Sequence, residues 1–215
     1  MSELVLHGYW RSSAAYRVRI ALNLKGLRYT QVTHDLRVGA QRSQDYLALA
    51  PHGLVPALAD GDKVYLESPA IIEWIDARWP APRLVPEDPD DAAVVRAMAA
   101  LIMCDIHPLN NLRVLQALRS DFHASDEQVK TWIARWIHEG FAPLEALTAQ
   151  HGGRYCFGDT PTLADCCLVP QLYSARRFGV DLSAYPGLVA AGSAAEALDA
   201  VEAAHPDRQP DADAA

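Results

Sequence analysis

The feature that most constrains this chain is a change of periodicity at a proline-rich break. Pro80, Pro82, Pro86 and Pro89 fall within residues 80–89, where little apolar periodicity survives, and such a stretch reads as a linker. Before it, strand and helix signals alternate. Leu4–Leu6 reads as a strand, Ser12 opens a helix to Leu24, and Tyr29–Thr33 alternates as a second strand. Residues 41–49 suit a short helix. Val55–Ala59 and Lys63–Leu66 flank Asp60-Gly61, a hairpin signal. Ser68 then caps a helix through Trp79, with Pro69 at its first position. That order predicts a small α/β unit with a mixed sheet. After the break every pattern is helical: an extended stretch over residues 92–118 with a kink or break at Pro108, a second helix over 125–149, a third opened by the Thr162–Asp165 capping box, and an alanine-rich fourth over 188–203. Domains are expected over 1–80 and 91–215, joined by a linker at 81–90 and ending in a loose polar tail from His205.

Bulk properties narrow the function classes. A chain of 215 residues buries a substantial core. A net charge of −8 makes a poor partner for nucleic acid. There is no charged-then-apolar leader, and no apolar run reaches the ~18–20 residues that span a bilayer, so a soluble, cytoplasmic protein is expected. Cys104, Cys156, Cys166 and Cys167 show no metal-ligand spacing, and buried reduced thiols are expected rather than metal ligands.

The chemistry-bearing stretch is Tyr9 to Leu24. Arg11, Ser12 and Ser13 sit where a strand hands over to a helix N-terminus, a place with free N–H donors and the positive end of the helix dipole. A thiolate or a carboxylate is stabilised there. Ala14 and Ala15 follow the serines, so a thiolate used at this site must arrive on a ligand. Two further segments have bland and functional readings. Pro56 in Leu54-Val55-Pro56 removes a ladder donor and suits the start of an edge strand. In Glu67-Ser68-Pro69, Ser68 suits an N-cap, while the helix N-terminus and its hydroxyl also suit a carboxylate and Glu67 an ammonium.

The run SSAAYRVRIALNLKG, followed by LVPAL and ESPAIIEW, resembles the zeta class of glutathione transferases from Leu4 to about Pro210. The resemblance implies a thioredoxin-like N-terminal domain and an all-α C-terminal domain, usually assembled as a homodimer. It implies glutathione as cofactor, with Val55, beside a cis-proline, on the cysteinyl backbone, Glu67 and Ser68 on the γ-glutamyl group, and Ser12 on the thiol. His52 stands where relatives often carry glutamine and is a candidate glycyl-end contact; His107 and Asn111 are further candidate glutathione contacts, His107 also for proton transfer. Arg11, Arg113 and Arg177 match arginines used around a dianionic substrate, through the bidentate fork that guanidinium offers carboxylate. The implied reaction is cis–trans isomerisation of maleylacetoacetate to fumarylacetoacetate, in tyrosine and phenylalanine breakdown, by reversible thiolate addition. Maleylpyruvate is a rival keto-acid substrate, and general glutathione conjugation or a non-catalytic binding module are alternative functions. Where the eukaryotic zeta pattern has Ser-Ser-Cys, this chain has Ala14.

Overall fold

The computed structural model describes residues 3–213. They form two compact units. One takes the chain up to Leu84 and again from Ala197; the other is Val85–Glu196.

The first unit is built on a four-stranded sheet of order β2-β1-β3-β4, with β1 Leu4–Gly8, β2 Tyr29–Thr33, β3 Ala57–Asp60 and β4 Lys63–Leu66. The parallel β1–β2 pair requires a crossover, which α1 (Ser13–Leu24) supplies. β3 and β4 form the antiparallel hairpin across Asp60-Gly61, and β3 returns antiparallel to β1 with Leu58 opposite Leu6. Alternation along β1 buries Leu4 and Leu6. Helices α2 (Gln44–Leu49) and α3 (Ser68–Arg78) complete the early part. Tyr46, Ala50 and Ala57 form a small core with Leu49, Val55 and Leu66 against it. Lys25, at the end of α1, reaches the Asp76 carboxylate at 2.5 Å, the Trp79 carbonyl at 2.6 Å and the Pro82 carbonyl, so its buried ammonium ties α1 to the end of α3.

The tail departs from expectation. The periodicity predicts one helix over 188–203 and a loose end; instead Leu198 adopts extended backbone (φ −81°, ψ 131°), which separates α8 (Pro186–Glu196) from α9 (Asp199–Ala204). The segment from Ala197 then packs with the first unit, not with the helical one. The reason lies in α1, which is buried from Ala15 to Leu22, Arg17 and Arg19 included. Arg19 donates to the Ala204 carbonyl at 3.0 Å and the Trp10 carbonyl at 2.9 Å, and Asn23 donates to the Ala200 carbonyl at 2.9 Å. Further along, Gln31 donates to Gln209 at 2.8 Å and the Trp10 N–H donates to Asp211 at 3.0 Å. Buried guanidinium donors need acceptors, and the returning chain provides one for Arg19.

The second unit is helical throughout: α4 (Pro89–Ala100), α5 (Leu112–Ser120), α6 (Asp126–His151), α7 (Leu163–Arg177) and α8. The stretch over 92–118, expected to kink or break at Pro108, is broken into two helices. α4 passes into a π-helical turn, Leu101–Ile106, and α5 starts afresh after Asn111, whose side chain caps it by accepting from the Arg113 N–H at 3.2 Å. Pro108 removes a donor between them, consistent with the break. Ile106 is seated against α6 because residue 140 is glycine: a Cβ there would lie 2.3 Å from the Ile106 side chain. Ser125–Gln128 and Thr162–Asp165 form the capping boxes of α6 and α7. Asp165 is buried and accepts from the N–H groups of Cys156 (2.9 Å) and Thr162 (2.8 Å) and from the Thr162 hydroxyl (3.0 Å). Burial pushes its carboxyl above the usual range, against the lowering effect of those donors. Cys156, Cys166 and Cys167 are buried free thiols as expected, but Cys104 is exposed, on the solvent side of the π-helical turn.

Candidate active site

The N-terminus of α1 is shaped by the Tyr9–Ser12 turn, closed by the Ser12 N–H donating to the Tyr9 carbonyl at 3.0 Å. Ser12 is the N-cap: its Oγ accepts from the Ala15 N–H at 3.3 Å. That bond uses one lone pair and leaves the hydroxyl proton for an outside acceptor. Arg11 lies beside it with its guanidinium 4.9 Å from the centroid of the Trp10 ring. The half-buried hydroxyl, the positive end of α1 and the neighbouring cation together suit a thiolate.

The N-terminus of α3 is a second such place, differing in one respect from the sequence reading. The helix begins at Ser68, Glu67 stands at the N-cap, and no side-chain capping bond is made there. The Ser68 hydroxyl, 3 % exposed, instead accepts from Arg17 Nη1 at 3.3 Å. Helix geometry places Ser68 inside the first turn, where its side chain does not reach back to cap. Glu67 has φ 65° and ψ 121°, a sparsely populated backbone region for a residue with a Cβ, costing of order 1–3 kcal/mol. This conformation accompanies a side chain that is 64 % exposed. Pro69 has no N–H, so the first-turn donors here are those of Ser68 and Ala70.

Val55 and His52 lie in the same unit. The Val55–Pro56 peptide is cis, as the resemblance implies, and the β3 ladder starts only at Ala57, leaving Val55 outside it. His52 Nε2 is 3.8 Å from the Glu67 carboxylate. The segment is held from behind by Tyr46, whose hydroxyl donates to the Leu54 carbonyl at 2.6 Å; burial pushes that phenol up. The Tyr46 ring lies 4.1 Å from that of His34, and His34 Nε2 is 3.0 Å from His7 Nδ1. Burial lowers both imidazoles, and the proximity of His7 lowers His34 further.

The remaining candidates belong to the second unit. His107 ends the π-helical turn, its N–H donating to the Ile102 carbonyl at 2.9 Å. Asn111 is the α5 cap and Arg113 is exposed on the first turn. Arg177 is the last residue of α7, exposed, 4.5 Å from the Phe178 ring. Its neighbour Arg176 is engaged with Glu196 at 2.6 Å. The structure therefore brings His52, Val55, Glu67 and Ser68 into one unit with Arg11 and Ser12, and His107, Asn111, Arg113 and Arg177 into the other.

Residues 6–83 match the glutathione S-transferase N-terminal domain family and residues 126–191 the C-terminal domain family. A maleylpyruvate isomerase from a Ralstonia species is 49 % identical over 208 residues, covering 96 % of this chain and 98 % of its own. The maleylacetoacetate isomerase of Pseudomonas aeruginosa is 49 % identical over 213 residues, covering 98 % and 99 %. The holo structure of a maleylpyruvate isomerase, described as a bacterial zeta-class glutathione S-transferase, superposes with a TM-score of 0.95 at 48 % identity, covering 97 % of this chain and 100 % of that one. This chain is a zeta-class glutathione transferase. The maleylacetoacetate isomerase of Methylobacterium extorquens AM1, solved with bound malonate and glutathione, has a TM-score of 0.91 at 39 % identity, covering 98 % and 100 %.

The cofactor of this zeta-class transferase is glutathione, and the residues of the first unit fit it. A γ-glutamyl end carries an ammonium and a carboxylate on one carbon; Glu67 offers an exposed carboxylate, and Ser68 with the α3 N-terminus offers donors beside it. A peptide backbone finds Val55 outside the sheet ladder, as in strand addition. Two contributors escaped the sequence reading. Arg17 reads as one more charge in a helix, although its place beside Ala21 on the apolar face was a signal. Tyr46 reads as core, and nothing local reveals its bond to the Leu54 carbonyl.

Proposed function

We propose that this zeta-class transferase is the isomerase of maleylacetoacetate, giving fumarylacetoacetate in tyrosine and phenylalanine breakdown. The observation that carries the reading is the Ser12 hydroxyl at the N-terminus of α1, with its proton uncommitted and no cysteine in the following turn. Bound glutathione supplies the nucleophilic thiol whose reversible addition to the cis double bond makes that bond single and free to rotate. Ser12 donates its hydroxyl proton to the sulfur, holding it as thiolate, and the α1 dipole adds to that stabilisation. Glu67 takes the γ-glutamyl ammonium, Ser68 the carboxylate, and Val55 the cysteinyl backbone; His52 and Asn111 are assigned to the rest of the tripeptide. Arg11, Arg113 and Arg177 are assigned to the substrate carboxylates, where they also stabilise charge that develops on the adjoining oxygen. His107 is assigned to glutathione or to a proton on the reacting carbon chain.

The dicarboxylate preference is supported by the Methylobacterium relative, solved with bound malonate and glutathione. The second reading, maleylpyruvate as substrate, rests on the Ralstonia isomerase, which is as similar to this chain as the Pseudomonas enzyme is. We assign the protein to the cytoplasm as a homodimer on family grounds, and sedimentation at several protein concentrations tests the dimer. The deciding assay follows isomerisation of each keto acid spectrophotometrically, with and without glutathione. Turnover of maleylacetoacetate that requires glutathione and does not consume it supports the reading. Preference for maleylpyruvate moves the enzyme to the second substrate. Net consumption of glutathione with an electrophile, and no isomerisation, replaces it with conjugation.

A further inference from the structure

Arg17 is 2 % exposed, on the inner side of α1, and donates from Nη1 to Ser68 Oγ at 3.3 Å. Arginine has five N–H donors and no acceptor. A serine hydroxyl bonded to it can only accept on that side, so the Ser68 proton has to point elsewhere. Among the described residues no acceptor takes that proton. We propose that Arg17 is a positioning residue for the cofactor: it holds Ser68 as an obligate donor toward the γ-glutamyl carboxylate and places a buried positive charge behind the α3 N-terminus. This rests on the reading of Ser68 as the carboxylate contact. An unconstrained serine side chain could rotate and accept from a backbone N–H of its own first turn, the common behaviour of serine at a helix start. Arg17 opposes that rotation, because turning the hydroxyl away would break its bond to the buried guanidinium. The same helix that offers Ser12 to the thiol thereby sets, through Arg17, the residue at the other end of the tripeptide.

The geometry separates this role from simple support of the fold. A supporting arginine affects every ligand alike; a positioning arginine affects only ligands that carry the carboxylate. The test is calorimetric titration of the full-length protein and its Arg17→Met, Arg17→Lys, Ser68→Ala and double Arg17→Met/Ser68→Ala variants. Two ligands are used: glutathione, and γ-aminobutyryl-cysteinyl-glycine, which lacks the γ-glutamyl carboxylate. Arg17→Met is expected to weaken glutathione binding about tenfold, the scale of one charge-assisted hydrogen bond, with the analogue changed by less than about twofold. The double variant is expected to match Ser68→Ala, since the two act as one unit. Arg17→Lys keeps charge and donor and is expected to recover most of the loss, which also decides the matter if Arg17→Met melts below the assay temperature. Equal weakening of both ligands in the Arg17 variants, or full glutathione affinity in Arg17→Met, overturns the proposal. If Ser68→Ala itself binds glutathione and the analogue as the unaltered protein does, the carboxylate reading of Ser68 fails first and takes the proposal with it.

Discussion

Replacing Ser12 by alanine removes two things that can be measured apart. The first is the cap on α1. Its bond to the Ala15 N–H is 3.3 Å long, at the loose end of hydrogen-bond geometry, so the stability cost falls near the low end of the capping range, about 0.5–1 kcal/mol. For a chain of this size that is a melting shift of roughly 1–4 °C. The second, in the role proposed for Ser12, is the donor to the cofactor thiolate. Hydrogen bonds to a charged group contribute about 1.5–3 kcal/mol, and one pKa unit corresponds to ~1.36 kcal/mol. The thiol of bound glutathione should therefore titrate about one to two units higher in Ser12→Ala, approaching the free value near ~8.5. At neutral pH kcat/KM should fall about 10–100-fold and recover as the pH is raised through the new pKa. The assays are the thiolate ultraviolet absorbance of the glutathione complex against pH, and the pH profile of isomerisation. Ser13→Ala is the control, since Ser13 opens α1 without making the capping bond, and its profile should not move. A Ser12→Ala enzyme that melts earlier but keeps its rate and pH profile would reduce Ser12 to a helix cap and refute the thiolate role.

Three further outcomes follow from the geometry. Arg177→Ala should lower kcat/KM for the dicarboxylate about 10–100-fold, the scale of one charge-assisted contact. Arg176→Ala, which loses only the exposed pair with Glu196, should stay within about twofold; steady-state kinetics of both variants decide it. Asp165→Asn should destabilise the fold by about 2–4 kcal/mol, because an amide places an N–H₂ against one of the donors that the two carboxylate oxygens now satisfy. Urea denaturation measures it, and an unchanged midpoint would show that the buried acid is dispensable. The His7–His34 pair should make the protein acid-sensitive. Burial holds both imidazoles below their ordinary 6.5, so the unfolded chain takes up protons first as the pH falls, and their contribution is present above that value and lost below it. Melting temperature between about pH 7 and about pH 5 should fall more steeply in the unaltered protein than in His34→Gln; parallel curves would remove the pair from the account.

Much of the fold was legible because its signals are local. A short apolar run marks β1, alternation marks β2, Asp60-Gly61 marks the hairpin, and Thr162 with Asp165 marks the start of α7. What was not legible depends on partners distant in sequence. No pattern near Leu198 says that a helix stops there; it stops where the chain turns to deliver the Ala204 carbonyl to Arg19. Within 92–118 the break was legible at Pro108, while the π-helical turn that precedes it carries no local signal. At the site, Ser12 was readable from its place before an apolar run. Ser68 was readable as a helix start, but its true partner is Arg17, 51 residues earlier, beyond any local motif.

The return of residues 197–213 to the first unit has a consequence for biogenesis. A nascent chain emerges from the ribosome N-terminus first, so the sheet, α1 and the Ser12 turn are synthesised well before α9. Until the last residues appear, Arg19 lacks its Ala204 acceptor and Trp10 lacks Asp211. The unit that carries Ser12 is thus begun before the helical unit and completed only after it. A ribosome stalled anywhere in the helical unit holds a sheet unit that is still open along one helix, a natural target for chaperones and for quality control.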